Sequence, residues 1–281
     1  MNRIDSRFVQ LRSEGRKALI CYLTAGFPDL DSTGELVLEL CRQGADIIEL
    51  GVPFSDPLAD GPIIQKASQR ALDLGTTPRA VLKLVTELRK CTDAPITLLT
   101  YYNPIHQYGL ANFVDDCASC GVDGLIVPDL PLEESSPLRE LAEARRIWLI
   151  GLVAPTSTPD RVAKLCAVTK GFLYCISVTG VTGLRADLWE GLRGFLEEVR
   201  RTARVPVAIG FGISTPDQAR RAASYSDGVI VGSAIMQRIE ECPRPAECVP
   251  VVGQLAGELR QALDMDDESR GERSRRNAIL F

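Results

Sequence analysis

Histidine is almost missing from this chain: there is one, His106, among 281 residues. A cluster of imidazole metal ligands therefore cannot be assembled, and no metal site is expected. A surplus of positive charge is missing too. Thirty-two lysines and arginines face 37 acids, for a formal charge of −5, which argues against binding a phosphate backbone; nucleic acid is not an expected partner. No run approaches the ~18 to 20 apolar residues of a membrane span. The opening MNRIDSRFVQLRSEGRK lacks the apolar stretch of a secretory signal, so a cytoplasmic chain with no membrane partner is expected. Nine cysteines are an odd number in a chain too large to need staples, and Cys21, Cys41 and Cys175 lie inside apolar runs. They read as reduced thiols packed as small hydrophobes, not as disulfides. What remains, 45% hydrophobic and 25% charged residues, describes a globular chain long enough for one α/β barrel or two smaller domains.

Eight short apolar runs alternate with amphipathic stretches. The runs are 18–24, 46–50, 95–102, 123–127, 147–152, 172–177, 205–209 and 227–231, each nearly continuously apolar, as buried parallel strands are. Helical patterns fall at 32–43 with Asp31 as cap, and at 110–119, 158–167, 188–203 and 215–223; Gly44, Gly121 and Gly171 suit helix ends. Eight uninterrupted strand-helix units match a closed (β/α)8 TIM barrel, with an open doubly wound sheet as the alternative. No G-x-G-x-x-G follows the first run, so the dinucleotide-binding version lacks its signature. A helix near residues 3–13 would close the barrel floor, and one after the eighth run would face the phosphate site. The expected division is a barrel over 1–264 and a charged, flexible tail over 265–281.

In this architecture the chemistry sits just after the strands. The second run ends in Glu49 and continues as LGVPFSDPLADGP through Asp60, a stiff loop rich in apolar residues. A carboxylate at the end of a buried strand takes a raised pKa and can both give and accept a proton near neutrality; the alternative is a satisfied structural Glu49 and a helix-capping Asp60. Small-residue turns follow the seventh run (Gly210, Phe211, Gly212, Ile213, Ser214) and the eighth (Gly232, Ser233). They read as a backbone anion cradle or as turns that simply need glycine. The stretch 177–185, SVTGVTGLR, reads as a lid or a flexible connector. Tyr22, Leu99, Tyr101, Leu125, Val127 and Tyr174 lie at other strand ends. They could line a flat ligand's pocket or be ordinary barrel packing. The six lysines all precede strands or sit in helices, so none is placed to form a Schiff base. Cys117 and Cys120 form a C-x-x-C without a second pair, a weak signal for metal or redox chemistry.

Taken together, IELGVPFSDPLADGP (48–62), VPDLP (127–131), YCISVTGVTG (174–183), GFGIS (210–214) and VGSAI (231–235) resemble the tryptophan synthase alpha chain family, in register from about residue 3 to 262. The strand-two block is specific; the glycine turns alone are weak. The resemblance implies retro-aldol cleavage of indole-3-glycerol phosphate to indole and glyceraldehyde 3-phosphate, with Glu49 as general acid-base and Asp60 holding the indole N–H. It implies an indole pocket of Tyr22, Ile64, Leu99, Tyr101, Val127, Tyr174 and Phe211, a lid residue Thr182 that engages Asp60, and a phosphate site of Gly183, Gly212, Gly232 and Ser233. It also implies a beta subunit as partner in a tetramer of two alpha and two beta chains, with Pro53, Asp56, Asn103, Pro104 and Pro131 in the contact regions. No cofactor is implied in this chain, pyridoxal phosphate belonging to the beta subunit. Tyr22 departs from a frequent phenylalanine, adding a hydroxyl that needs a partner. The alternatives are a stand-alone lyase, a catalytically weak regulatory module, and a phosphate-binding barrel enzyme of other specificity.

Overall fold

Asp46, Asp123 and Asp227 each stand just before a strand and share one physical task. Each accepts a hydrogen bond from an opening amide of the preceding strand: Leu19 N to Asp46 at 2.8 Å, Ile96 N to Asp123 at 2.9 Å and Val207 N to Asp227 at 2.9 Å. A buried amide left unpaired would be costly, so these carboxylates fix the register with which neighbouring parallel strands begin. The computed structural model built on this device describes residues 1–176, 186–210 and 212–278, with backbone alone over 186–191 and 266–278.

In chain order, α1 (Arg3–Ser13) precedes β1 (Ala18–Thr24) and α2 (Leu30–Arg42). Then β2 (Ile47–Gly51) leads to α3 (Pro62–Asp73) and α4 (Pro78–Leu88), and β3 (Ile96–Leu99) leads to α5 (Tyr102–Tyr108) and α6 (Leu110–Cys120). After β4 (Gly124–Ile126) come a 3-10 turn and α7 (Ser136–Ala144), and β5 (Trp148–Leu149) with β6 (Gly151–Val153) leads to α8 (Pro159–Val168). The chain continues through β7 (Leu173–Ile176), α9 (Ala186–Thr202), β8 (Val207–Gly210), α10 (Pro216–Ala223), β9 (Gly228–Val231), α11 (Ser233–Glu241) and α12 (Pro245–Ala278).

The strand order is β5-β4-β3-β2-β1-β9-β8-β7-β6, and every pairing is parallel. Only Ile150 separates β5 from β6, and its amide still donates to Leu125 O at 2.8 Å. The two ends of the order are thus halves of one strand, and the sheet closes on itself as an eight-stranded barrel. That excludes the open sheet.

Side chains alternate across each strand. Ile20, Ile47, Ile126, Ile150, Phe172, Ala208 and Ile230 pack inside the barrel with Ile4, Phe8 and Leu11 of α1. Burying those three side chains contributes about 1.5–3 kcal/mol each, and α1 closes the floor as expected. Asn2 caps it, accepting from Ile4 N at 2.8 Å.

One local expectation is corrected. The cap of α2 is Asp29, whose carboxylate accepts from Ser32 N at 2.7 Å, because the helix opens one residue before Asp31. The backbone of α12 continues through the charged run after 264 to Ala278.

Candidate active site

Two residues beyond Ile47, the period of β2 puts Glu49 on the inside of the barrel at its carboxyl end, in register with Tyr22 of β1 and Thr97 of β3. The side chain is 1% exposed. Its Oε2 is the only buried side-chain nitrogen or oxygen among the described residues without a hydrogen-bond partner. Burial, reinforced by the charge of Asp60, pushes its carboxyl up from 4.5 to about 8. At neutral pH it is therefore mostly protonated. A structural carboxylate would be satisfied; this one is not.

Asp60 reaches the same place from the β2–α3 loop. Ser68 of α3 accepts from Phe54 N at 2.9 Å and donates to Phe54 O at 3.1 Å, tying the loop to its helix. Tyr101 anchors the other end, its hydroxyl accepting from Ala59 N at 2.9 Å while its ring packs 5.3 Å from Phe54. Burial raises the Asp60 carboxyl from 3.8 to about 6, and the hydrogen bond from Tyr101 opposes that rise. Asp60 does not cap α3, whose N-cap is Gly61. With these values Glu49 is mostly protonated and Asp60 mostly ionised at pH 7, so environment separates the two carboxyl groups.

Tyr22, Glu49, Asp60, Ile64, Leu99, Tyr174, Gly212, Gly232 and Ser233 line one hollow at the barrel mouth, so nine of the residues singled out by sequence converge. Its cavity volume is about 40 Å³, so a bicyclic guest needs lining side chains to rotate. The Tyr22 hydroxyl finds its partner in Thr24 Oγ1 at 3.1 Å. Gly232 is the N-cap of α11, with Ser233 its first residue, and Gly212 has φ +77° with open space where a Cβ would stand. Backbone amides at such a helix start suit an anion.

Val127 is not brought into this hollow. It belongs to the outer core and lines a separate cavity with Pro131, because Ile126 takes the inward position and the next residue turns out. Phe211, Thr182 and Gly183 lie outside the described residues. Of the loop residues, Asp56, Asn103 and Pro131 are exposed, Pro104 is half-buried and Pro53 is buried. Sequence reading missed Ile230, which also lines the hollow and which the inward period of the GVIV run could have marked; Ile213, named only as part of the turn after the seventh run, lines it too. Sequence reading named Gly210 only as part of a small-residue turn and gave Gly51 no role, yet a Cβ at Gly51 would stand 2.1 Å from the Tyr22 hydroxyl, and one at Gly210 2.7 Å from that of Tyr174. Among the described residues no group of three or more histidine, cysteine or acidic side chains could hold a metal, and Cys117 and Cys120 are free thiols.

A profile of the family described as tryptophan synthase alpha chain matches residues 8–264. The chain belongs to the tryptophan synthase alpha chain family. The alpha chain of Caldanaerobacter subterraneus subsp. tengcongensis is 48% identical over 263 residues, covering 94% of this chain and all of the relative. That of Synechococcus elongatus is 50% identical over 265 residues, covering 94% and 98%. Among solved structures, tryptophan synthase subunit alpha from Legionella pneumophila superposes with a TM-score of 0.88 at 36% identity, covering 94% and 99%. As a member of that family, the protein is an enzyme of the lyase class that serves tryptophan biosynthesis.

Proposed function

We propose that the hollow cleaves indole-3-glycerol phosphate by acid-base chemistry carried by Glu49 and Asp60. The observation that carries this reading is the buried Glu49 carboxyl with an unpartnered oxygen, aimed into a hollow it shares with Asp60. Protonated Glu49 gives its proton to the indole carbon that bears the glycerol side chain, leaving a ring cation whose N–H donates to the Asp60 carboxylate. The Glu49 carboxylate so formed takes the proton of the adjacent side-chain hydroxyl. The carbon–carbon bond then breaks, its electron pair restores the aromatic ring, and the departing carbon becomes the aldehyde of glyceraldehyde 3-phosphate. Glu49 ends protonated, as it began. The protonated ring is the electron sink, so neither a Schiff base nor a metal is called on.

Tyr22, Ile64, Leu99, Tyr101, Tyr174 and Phe211 surround the indole, with Ile213 and Ile230 added from the lining of the hollow. Gly183, Gly212, Gly232 and Ser233 hold the phosphate by backbone amides and a hydroxyl, and Thr182 closes on Asp60. The beta subunit takes up the indole in a tetramer of two alpha and two beta chains, and the pyridoxal phosphate is that subunit's. Asp56, Asn103, Pro104 and Pro131 face it, with buried Pro53 shaping the loop. No helix among the described residues is long and apolar enough to cross a membrane, which is compatible with work in the cytoplasm.

The test is release of glyceraldehyde 3-phosphate from indole-3-glycerol phosphate, with and without a beta subunit. Release that rises on adding the partner is expected. Equal high turnover in both would make the chain a stand-alone lyase, and none in either would leave only a binding role.

A further inference from the structure

The barrel floor, remote from Glu49, carries a larger cleft than the mouth, of about 510 Å³. It lies between α1 and the carboxyl end of α9, under the opening residues of β8. Its apolar lining includes Phe8, Val9, Val205 and Pro206, and Val9 is 61% exposed. Its rim is charged, with five cations, Arg12, Arg16, Lys17, Arg200 and Arg204, against the two acids Asp5 and Asp227.

The commitments of these groups decide what the cleft can hold. Both oxygens of Asp5 take the indole N–H of Trp148, at 3.1 and 3.0 Å. Asp227 takes Val207 N at 2.9 Å and lies 3.5 Å from Arg200. Arg16 is held by Glu14 and Asp264, and Lys17 donates to Ser226 O at 2.6 Å. Among the described residues the guanidiniums of Arg12 and Arg204 have neither a hydrogen bond nor an ion pair. Arg12 stands in the last turn of α1 and Arg200 in that of α9, where part of their charge answers the helix dipoles. Each helix end carries about half a negative charge; with Arg16 answered by Glu14 and Asp264, the four other cations against Asp5 and Asp227 leave the rim a surplus of about one positive charge beside an apolar lining.

We infer that this cleft is a second binding site, for a small organic anion whose apolar body lies on Val9, Val205 and Pro206 and whose carboxylate or sulfonate head sits between Arg12 and Arg204. Concavity and size suit a small molecule, and the unanswered guanidiniums supply the polar fix that an apolar base lacks.

The probe is 8-anilino-1-naphthalenesulfonate, titrated by fluorescence against the full chain, with neutral N-phenyl-1-naphthylamine as the uncharged counterpart. Saturable binding of one anion per chain is expected, at least tenfold tighter than the neutral probe, weakening with salt and unchanged by saturating indole and glycerol phosphate. In Arg12→Gln/Arg204→Gln the affinity for the anion falls at least tenfold, while the fold by circular dichroism and cleavage at the mouth are retained. Absence of saturable binding, equal binding of the neutral probe, displacement by indole, or unaltered affinity in the double variant would each overturn the inference. The comparison of probes and the salt dependence need only the native chain, so the result does not hang on the variant's folding.

Discussion

Two carboxyl groups with different surroundings set the pH behaviour of the hollow. The proposed mechanism requires Glu49 protonated and Asp60 ionised, and burial moves these groups to about 8 and about 6. The pH profile of kcat/KM is therefore expected to be a bell between those values, losing activity below pH 6 as Asp60 takes a proton and above pH 8 as Glu49 loses one. A flat profile across that window in steady-state assays would contradict the assignment. Stability carries the same signature. Because folding raises the Glu49 pKa from 4.5, the native state binds the extra proton between 4.5 and about 8. The stability Glu49 allows is present below that window and is lost as pH rises through it. Glu49→Gln removes the titration, so its melting temperature relative to the parent chain is expected to climb from acid to alkaline pH. Equal melting curves at all pH values would mean that the carboxyl is solvated. The pair was legible in sequence as acids beside a strand end. That Oε2 would be left without a partner was not, since it depends on neighbours from other strands.

At the scale of elements, strand period and glycine placement arrange the mouth. Gly51 ends β2 with the Tyr22 ring against it, and an added Cβ would stand 2.1 Å from the hydroxyl and 2.7 Å from the ring carbon that bears it. Gly51→Ala is expected to destabilise by about 1–3 kcal/mol, as overpacking does, and to impair cleavage by moving Tyr22. Gly194, inside α9 with nothing within 4 Å of its Cβ position, is the contrasting site, where alanine is expected to stabilise by about 0.5–1 kcal/mol. Denaturant titration of both variants checks the pair, and a neutral Gly51→Ala would show that the ring yields freely. The eight runs, the floor helix and the helix after the last strand could be read from periodicity because they bury continuous apolar faces. The break at Ile150 could not, since IWLIGL is uniformly apolar, and Val127 was misplaced because run ends do not declare which side the last residue takes.

For the whole molecule, closure of the ring brings residues distant in sequence to one mouth and leaves a second cleft under the floor. We propose that the catalytic unit ends at 264: the family match stops there, and α12 packs against the barrel through Leu255, Leu259 and Leu263 while Arg260 meets Asp46 at 3.0 Å. A chain cut after Asp264 is expected to keep its fold and its cleavage rate within about twofold, because the residues removed lie beyond those contacts; a collapse in thermal stability would assign the charged extension a structural role. The proposed proton transfer at Glu49 is read most directly from the rate of glyceraldehyde 3-phosphate release by Glu49→Gln beside the parent chain, under matched conditions with folding verified. A loss of at least ~10²-fold is the predicted result. Turnover close to that of the parent would contradict the account.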